Sequence, residues 1–449
     1  MDDLLIDAAR RGIGYRTSLA ERSVTPTSAA LTELARFREP MPVRGCGADS
    51  VLALLDEAGS PATVATAGGR YFGFVNGSSL PVAVAANWLA TAWDQNAALG
   101  VMSPTASTLE DVTLGWLADL FGLPAGTTGT FVTGATLASF TALAAARHEL
   151  LRRCGWDAGA NGLFGAPPIT VVVSEESHAS IGRALALLGL GRERVLRVPT
   201  DRQGRMRAEM LPRPVAGPAL VCTQAGNVNT GAFDPLSAVC DWAQRHDAWV
   251  HVDGAFGLWA AVAPQYAHLT TGLARADSWA TDGHKWLNVP YDCGIALVRN
   301  ADALRGAMAM SAAYLPPSAL RDPMHHGPDA SQRARAVDVW AALKHLGRDG
   351  VADLVSRCCT HAARFAEELA AAGHEVLNEV VLNQVLVAFG DEARTLRVID
   401  ALQRDGTCWC GVSRWQGRTV MRISVSSWVT SDADVDRSLA AMLRCARAA

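Results

Sequence analysis

Between about residues 125 and 300, short apolar runs alternate with amphipathic stretches, and this alternation predicts the architecture. The runs fall at 130–132, 169–173, 219–222, 248–252 and 294–298. They are too short for helices and bounded by turn residues, which is the pattern of buried strands. Between them lie a glycine turn with a helix through Ala146, a helix from about His178, and another from Leu236 to Arg245. Strands alternating with helices imply an α/β chain with a mainly parallel sheet covered on both faces. Ligands of such sheets collect at the carboxyl ends of the strands.

The flanks carry different patterns. Residues 1–65 alternate helical stretches with breaks at Pro40, Pro42 and Gly47 and hold no chemical motif, so they read as an N-terminal arm. An aromatic, turn-rich segment, Arg70 to Gly77, precedes a long helical region that starts near Pro81, breaks at Ser103-Pro104 and ends near Pro124. Beyond about 310 a polar loop, 316–333, gives way to helices and a second small sheet with strands at 381–387 and 420–425. A closing helix runs from Asp432 to Arg447 with an acidic first turn. This divides the chain into an arm (1–65), a large domain (66–310), and a mobile loop with a small α+β domain (311–449).

Composition narrows the function classes. The 449 residues are 49% hydrophobic and 19% charged, with a net charge of −4 and no basic block. A partner held through nucleic-acid phosphates would need such a block. No apolar run reaches the roughly 18 residues of a membrane span, and the acidic start lacks the regions of a signal peptide. A cytoplasmic enzyme is the expectation. The ten cysteines are scattered without metal-site spacing, so they are expected to be reduced thiols, with no metal site.

The most informative residues stand at strand ends. Lys285 lies in Thr281-Asp282-Gly283-His284-Lys285-Trp286, flanked by histidine and tryptophan rather than by other charges. Asp253 closes the run 248–252, where a buried carboxylate needs a cationic partner. An imine-forming lysine and an aspartate facing a cationic ring nitrogen are what pyridoxal phosphate chemistry requires. Ala255, two residues on, is small enough for a flat ring to lie against it. Thr133-Gly134-Ala135-Thr136 follows a strand and opens a helix, so its free N–H groups suit a phosphate. His178, just past another strand end, offers an imidazole to stack on a ring and move a proton. The loop around Asn227 offers amides to a phenolic oxygen or a carboxylate. The structural readings beside these are a helix cap for Asp253, a helix-start histidine for His178 and a turn rich in Asn and Gly for the loop 223–235.

At these residues the chain resembles the fold-type I, pyridoxal-phosphate-dependent group II decarboxylases, the family of aromatic amino acid and glutamate decarboxylases. The resemblance runs from about Arg70 to the C-terminus. It rests on His284-Lys285-Trp286, on Asp253-Gly254-Ala255 placed 32 residues earlier (285 minus 253), on His178, and on Gly226 before Phe233-Asp234-Pro235. It implies a seven-stranded-type sheet in the large domain and pyridoxal 5'-phosphate as cofactor. Lys285 would be the imine lysine, Asp253 the partner of the ring nitrogen, and His178 the stacking histidine opposite Ala255. His284, Asp282 and the turn at Gly134, Ala135 and Thr136 would surround the phosphate. It also implies a homodimer with a shared active site, the first residues wrapping the partner. The implied reaction is decarboxylation of an L-amino acid.

Three places depart from the family pattern. The loop after the lysine, 320–328, has no tyrosine to act as acid, which leaves the earlier Tyr314, or His325 and His326, as candidates. Asp282 stands where the family has asparagine. The substrate segment reads Gly73-Phe74-Val75-Asn76-Gly77, and Phe74, Asn76 and Asn96 are the expected substrate contacts, in a pocket suited to a small or polar amino acid. A missing loop acid keeps two other outcomes open, decarboxylation-coupled oxidative deamination and carbon–sulfur β-elimination on a cysteine S-conjugate.

Overall fold

The computed structural model describes residues 2–213, 215, 217–310 and 319–449. These form two compact units. One comprises Ser79–Thr360 with Asn378–Gln384; the other gathers Met1–Ser78, His361–Leu377 and Val385–Ala449.

The first unit is built on a seven-stranded sheet: β1 (Thr128–Val132), β2 (Thr170–Ser174), β3 (Val195–Val198), β4 (Ala219–Gln224), β5 (Trp249–Asp253), β6 (Ser278–Asp282) and β7 (Gly294–Val298). The strand order is β1-β7-β6-β5-β4-β2-β3. Neighbours from β6 to β3 are parallel, and β7 alone runs antiparallel to both of its neighbours. Helix Ala135–Arg153 lies across the sheet on small side chains; Ala138, Ala142, Ala145 and Ala146 are fully buried. Its close approach packs Leu143 and Leu150 with Val171, Leu220 and Trp249 in one apolar cluster.

Two strands escape the hydrophobic pattern for physical reasons. β3 is an edge strand with half of its residues exposed, so its sequence Val-Leu-Arg-Val carries only a weak apolar signal. β6, Ser-Trp-Ala-Thr-Asp, is wholly buried yet mostly polar. Its polarity is matched across the sheet. His251 pairs in register with Ser278 and accepts or donates at 3.0 Å through Nδ1, while Trp249 Nε1 donates to the same hydroxyl at 2.9 Å. The other His251 nitrogen is 3.4 Å from Ser139 Oγ on the covering helix. Burial pushes the His251 pKa down to about 3, so this imidazole is a neutral structural group.

The second unit carries a four-stranded sheet, β10-β11-β9-β8, from β8 (Glu375–Val376), β9 (Gln384–Ala388), β10 (Gly411–Trp415) and β11 (Arg418–Ser424). The strand expected at 381–387 starts at Gln384 because Asn378 Nδ2 donates to the Gln384 and Thr230 carbonyls and holds the preceding residues as a loop. Helix Asp432–Ala448 begins with a reciprocal capping box between Ser431 and Asp434. Arg70, 3% exposed, explains why the first residues belong to this unit. It donates to the carbonyls of Ala20, Arg22 and Thr407 and lies 3.6 Å from Asp434. In the same unit Trp409 stacks on Tyr71 at 5.1 Å and on Phe74 at 5.4 Å. A Cβ on Gly73 would fall 2.2 Å from the Trp409 ring, so only glycine lets that segment turn over the indole.

All ten cysteines are free, and no helix among the described residues is long and apolar enough to cross a membrane.

Candidate active site

Strand ends gather the chemistry. In register, Gln224 of β4 lies beside Asp253 of β5, and Asp253 beside Ala280 of β6; two residues later β6 ends at Asp282. Since side chains alternate along a strand, Gln224, Asp253, Ala280 and Asp282 share one face. The chain then turns tightly: Gly283 N and His284 N both reach the Cys293 carbonyl, at 3.0 and 3.4 Å. That turn presents His284 and Lys285 to the same space. A cavity of about 290 Å³ results, lined among others by Gly134, Thr136, His178, Asp253, Asp282 and Lys285.

Each polar group has an identifiable environment. Lys285 Nζ is 3.1 Å from Asp282 Oδ2, and His284 Nε2 is 3.7 Å from the same oxygen. Cys293 N–H donates to His284 Nδ1 at 3.1 Å, which leaves the ring proton on Nε2. Burial lowers the His284 pKa, with the Asp282 charge working against it. Asp253 is 5% exposed, and burial raises its pKa while the charges of His178 and Lys285 pull it down. Its Oδ1 accepts from Ala255 N–H at 3.3 Å. His178 is the N-cap of helix Ala179–Leu187, its Nδ1 accepting from Ser180 N–H at 3.2 Å. The helix-start reading of this histidine and its place in the cavity therefore both hold, since Nδ1 serves the helix.

The anion end is a backbone feature. Helix Ala135–Arg153 opens at the end of β1, with Ala138 N–H bonded back to Gly134 O. The earlier first-turn N–H groups, of Ala135, Thr136 and Leu137, have no intrahelical acceptor, and these three residues line the cavity. The turn packs against Gly294, where a Cβ would come within 2.4 Å of Gly134 C.

Other expected residues fall elsewhere. Asn227 lies in the loop after β4, where its Oδ1 accepts from Asn229 and Thr230 N–H at 2.9 and 3.3 Å and shapes its own turn. Asn96, His325 and His326 are not among the cavity-lining residues. Asn96 Oδ1 accepts from Gln332 N–H at 3.0 Å, His325 Nδ1 from Met310 N–H at 3.3 Å, and His326 Nδ1 lies 3.2 Å from the Asp322 carbonyl. Arg321 anchors this segment by pairing with Glu110 at 3.3 Å and donating to Thr128 at the start of β1. Phe74 and Asn76 belong to the second unit, where Phe74 is 63% exposed. Tyr314 lies outside the described residues. Sequence reasoning missed Gln224, whose signal was its place at the end of the strand before Asp253, and Gly294, which carried none.

Comparison with known proteins decides the family. Residues 64–390 match the pyridoxal-dependent decarboxylase conserved domain. The chain belongs to the pyridoxal-dependent decarboxylase family. The aromatic-L-amino-acid decarboxylase of Bacillus atrophaeus is 31% identical over 290 residues, 62% of this chain and 58% of that relative's length. The L-2,4-diaminobutyrate decarboxylase of Rhizobium meliloti (strain 1021) is 31% identical over 435 residues, 91% of this chain and 84% of the relative. A crystal structure of Oryza sativa TDC with PLP and tryptamine has a TM-score of 0.92, covering 100% of this chain and 97% of that one at 22% identity. The sheet and its covering helices thus form the fold-type I architecture.

The cofactor of this family is pyridoxal 5'-phosphate, and the residues present fit it. Gln224 Nε2 and Asp282 Oδ1 are buried at the cavity without a partner. Asp253 is a carboxylate whose burial favours a cationic neighbour. A helix N-terminus stands at the other end, with His284 Nε2–H beside it, as an anion requires.

Proposed function

We propose that this chain is a pyridoxal-phosphate-dependent carboxy-lyase that decarboxylates an L-amino acid. The observation that carries the reading is the convergence of Lys285, Asp253 and His178 on one cavity that ends at a helix N-terminus. Relatives named as decarboxylases support it.

When bound, the cofactor supplies an aldehyde that condenses with amines and a ring that accepts an electron pair. Lys285 would provide the amine that holds it. Asp253, a buried carboxyl group, would face the ring nitrogen and favour its protonated form. His178 and Ala255 both line the cavity and would bound the ring, and His178, its Nδ1 accepting from Ser180 N–H, would carry its proton on Nε2. The N–H groups of Ala135 and Thr136, with His284 Nε2–H, bind the phosphate. Asp282 takes the asparagine's place, with its Oδ2 3.1 Å from Lys285 Nζ.

The substrate pocket is completed by a second copy of the chain. Helix Pro81–Trp93 has no charged residue, and Trp88, Leu89 and Trp93 on it are 44%, 57% and 43% exposed, an apolar face of the kind that marks an interface. Phe74, Asn76, Asn96, Tyr314, His325 and His326 are the proposed substrate contacts of that assembly, which works in the cytoplasm.

The test is spectroscopic and chemical. Protein purified with the cofactor should show a visible absorbance band that Lys285→Ala abolishes, and should release carbon dioxide from at least one of a panel of aromatic, acidic and diamino acids. Retention of the band in Lys285→Ala, or an amine-free product mixture with every substrate, would sink the proposal.

A further inference from the structure

His284 does not hold its own position. Its ring is stacked by Tyr291, with centroids 4.3 Å apart and planes 30° from parallel, and its Nδ1 accepts from Cys293 N–H. Both contacts come from one short segment, Tyr291-Asp292-Cys293, whose middle residue is gripped from outside. Asp292 Oδ1 accepts from Arg333 Nε at 3.0 Å and from Arg335 Nε at 3.1 Å, and Oδ2 lies 3.4 Å from Arg335 Nη2. Arg333 Nη2 also donates to the Asp292 carbonyl at 2.5 Å. The grip has a buried base. Arg333 Nη1 lies 3.5 Å from the Asp338 carboxylate, which is 0% exposed and accepts from Asn87 Nδ2 at 2.8 Å. Two guanidinium groups on one carboxylate, one of them also on its main chain, make a directional clamp rather than a diffuse charge pair.

We propose that Asp292 is a positioning residue for the anion end of the cavity: clamped by Arg333 and Arg335, it fixes Tyr291 and Cys293, and through them the plane and tautomer of His284. The inference rests on the reading of this cavity as the cofactor site, with His284 at the phosphate. It deepens that reading by giving the histidine a donor face at Nε2 that the ring alone does not dictate. A ring free to turn would offer either nitrogen, and only one of the two arrangements places an N–H beside the helix N-terminus.

The test separates phosphate recognition from general loosening by using two ligands of the cofactor-free protein. Pyridoxal phosphate and pyridoxal share the ring and aldehyde but differ at the phosphate. Dissociation constants for both would be measured by tryptophan fluorescence in the wild type, Asp292→Asn, His284→Ala and the double variant. Asp292→Asn should weaken pyridoxal phosphate by about tenfold and leave pyridoxal unchanged, and it should add nothing in the His284→Ala background. Arg333→Lys, a milder change that keeps the charge, should shift the same way by less. An equal loss for both ligands, or a full effect without His284, overturns the clamp alone. If His284→Ala binds pyridoxal phosphate as the wild type does, the assignment of His284 to the phosphate falls, and the clamp with it.

Discussion

Gly294→Ala is the sharpest test of how the cofactor cradle is built. Gly294 lies in register with Val132 of β1 and with Asp282 of β6, so it separates the phosphate turn from the acid beside Lys285. An added Cβ would sit 2.4, 2.5 and 2.7 Å from C, Cα and N of Gly134, where ordinary contact begins at 3.4 Å. The turn must therefore recede by about 1 Å (3.4 minus 2.4), because the atoms in the way are backbone and β7 is hydrogen-bonded on both sides. Overpacking of this kind costs about 1–3 kcal/mol. Losing one charge-assisted hydrogen bond costs about 1.5–3 kcal/mol, which corresponds to a rise of about 10- to 150-fold in the cofactor Kd. Urea denaturation of the cofactor-free protein and fluorescence titration with pyridoxal phosphate read the two effects separately. Gly134→Ala is the control. Its φ of 174° is open to any residue, and its Cβ would meet His284 Cε1 at 3.5 Å and Asp282 Oδ1 at 3.7 Å, ordinary contacts. Its stability should stay within about 0.5 kcal/mol of the wild type. A wild-type Gly294→Ala, or a Gly134→Ala that is the less stable of the two, would refute the reasoning.

Two further outcomes are expected. His251 has a folded pKa depressed to about 3 against an ordinary 6.5, so its stabilising contribution is present above pH 6.5 and is lost as pH falls toward 3. At pH 5 the loss is about 2 kcal/mol, 1.5 pH units at about 1.4 kcal/mol each, and His251→Gln should show a shallower decline between pH 6.5 and 5 in thermal denaturation; parallel declines would exclude the histidine as the cause. His178 combines a cap with a ring, and the two separate by substitution. His178→Asn should keep the cap of helix Ala179–Leu187 and melt with the wild type, while His178→Ala loses about 1 kcal/mol. Both should lose carbon dioxide release, and an active His178→Asn would show that the imidazole does not work on the cofactor.

What could be read from the chain depended on how local the determinant was. β2, β4, β5 and β7 announce themselves because nearly every residue in them is buried and each carries a run of apolar side chains. β6 did not, since its buried Ser278 is matched by partners on β5, and a single sequence does not reveal that Ser278 will meet His251 and Trp249. The same distinction separates the site residues. Asp253, Asp282, His284 and Lys285 lie at or just beyond strand ends, where topology alone brings them together. Asn96, His325 and His326 were polar residues in suggestive segments, and within this chain their side-chain atoms meet backbone groups of neighbouring turns.

This difference also governs what the departures from the family pattern can mean. The segment 320–328 looked like a free loop because it is polar and proline-containing. In the structure Arg321 is tied to buried Glu110 and to β1, Asp322 accepts from Gly100 N–H at 2.8 Å, and Met324 N–H reaches Ala98 O at 3.0 Å. A histidine on so anchored a segment has little freedom to swing. Burial, reinforced by the Arg321 charge, lowers the His326 pKa to about 4, so at neutral pH its ring has no spare proton to act as a strong acid. His326 is therefore a poor replacement for the acid that the tyrosine supplies in the family pattern. The missing tyrosine thus changes which residue is tested first, while leaving the Asp253 and Lys285 pairing untouched.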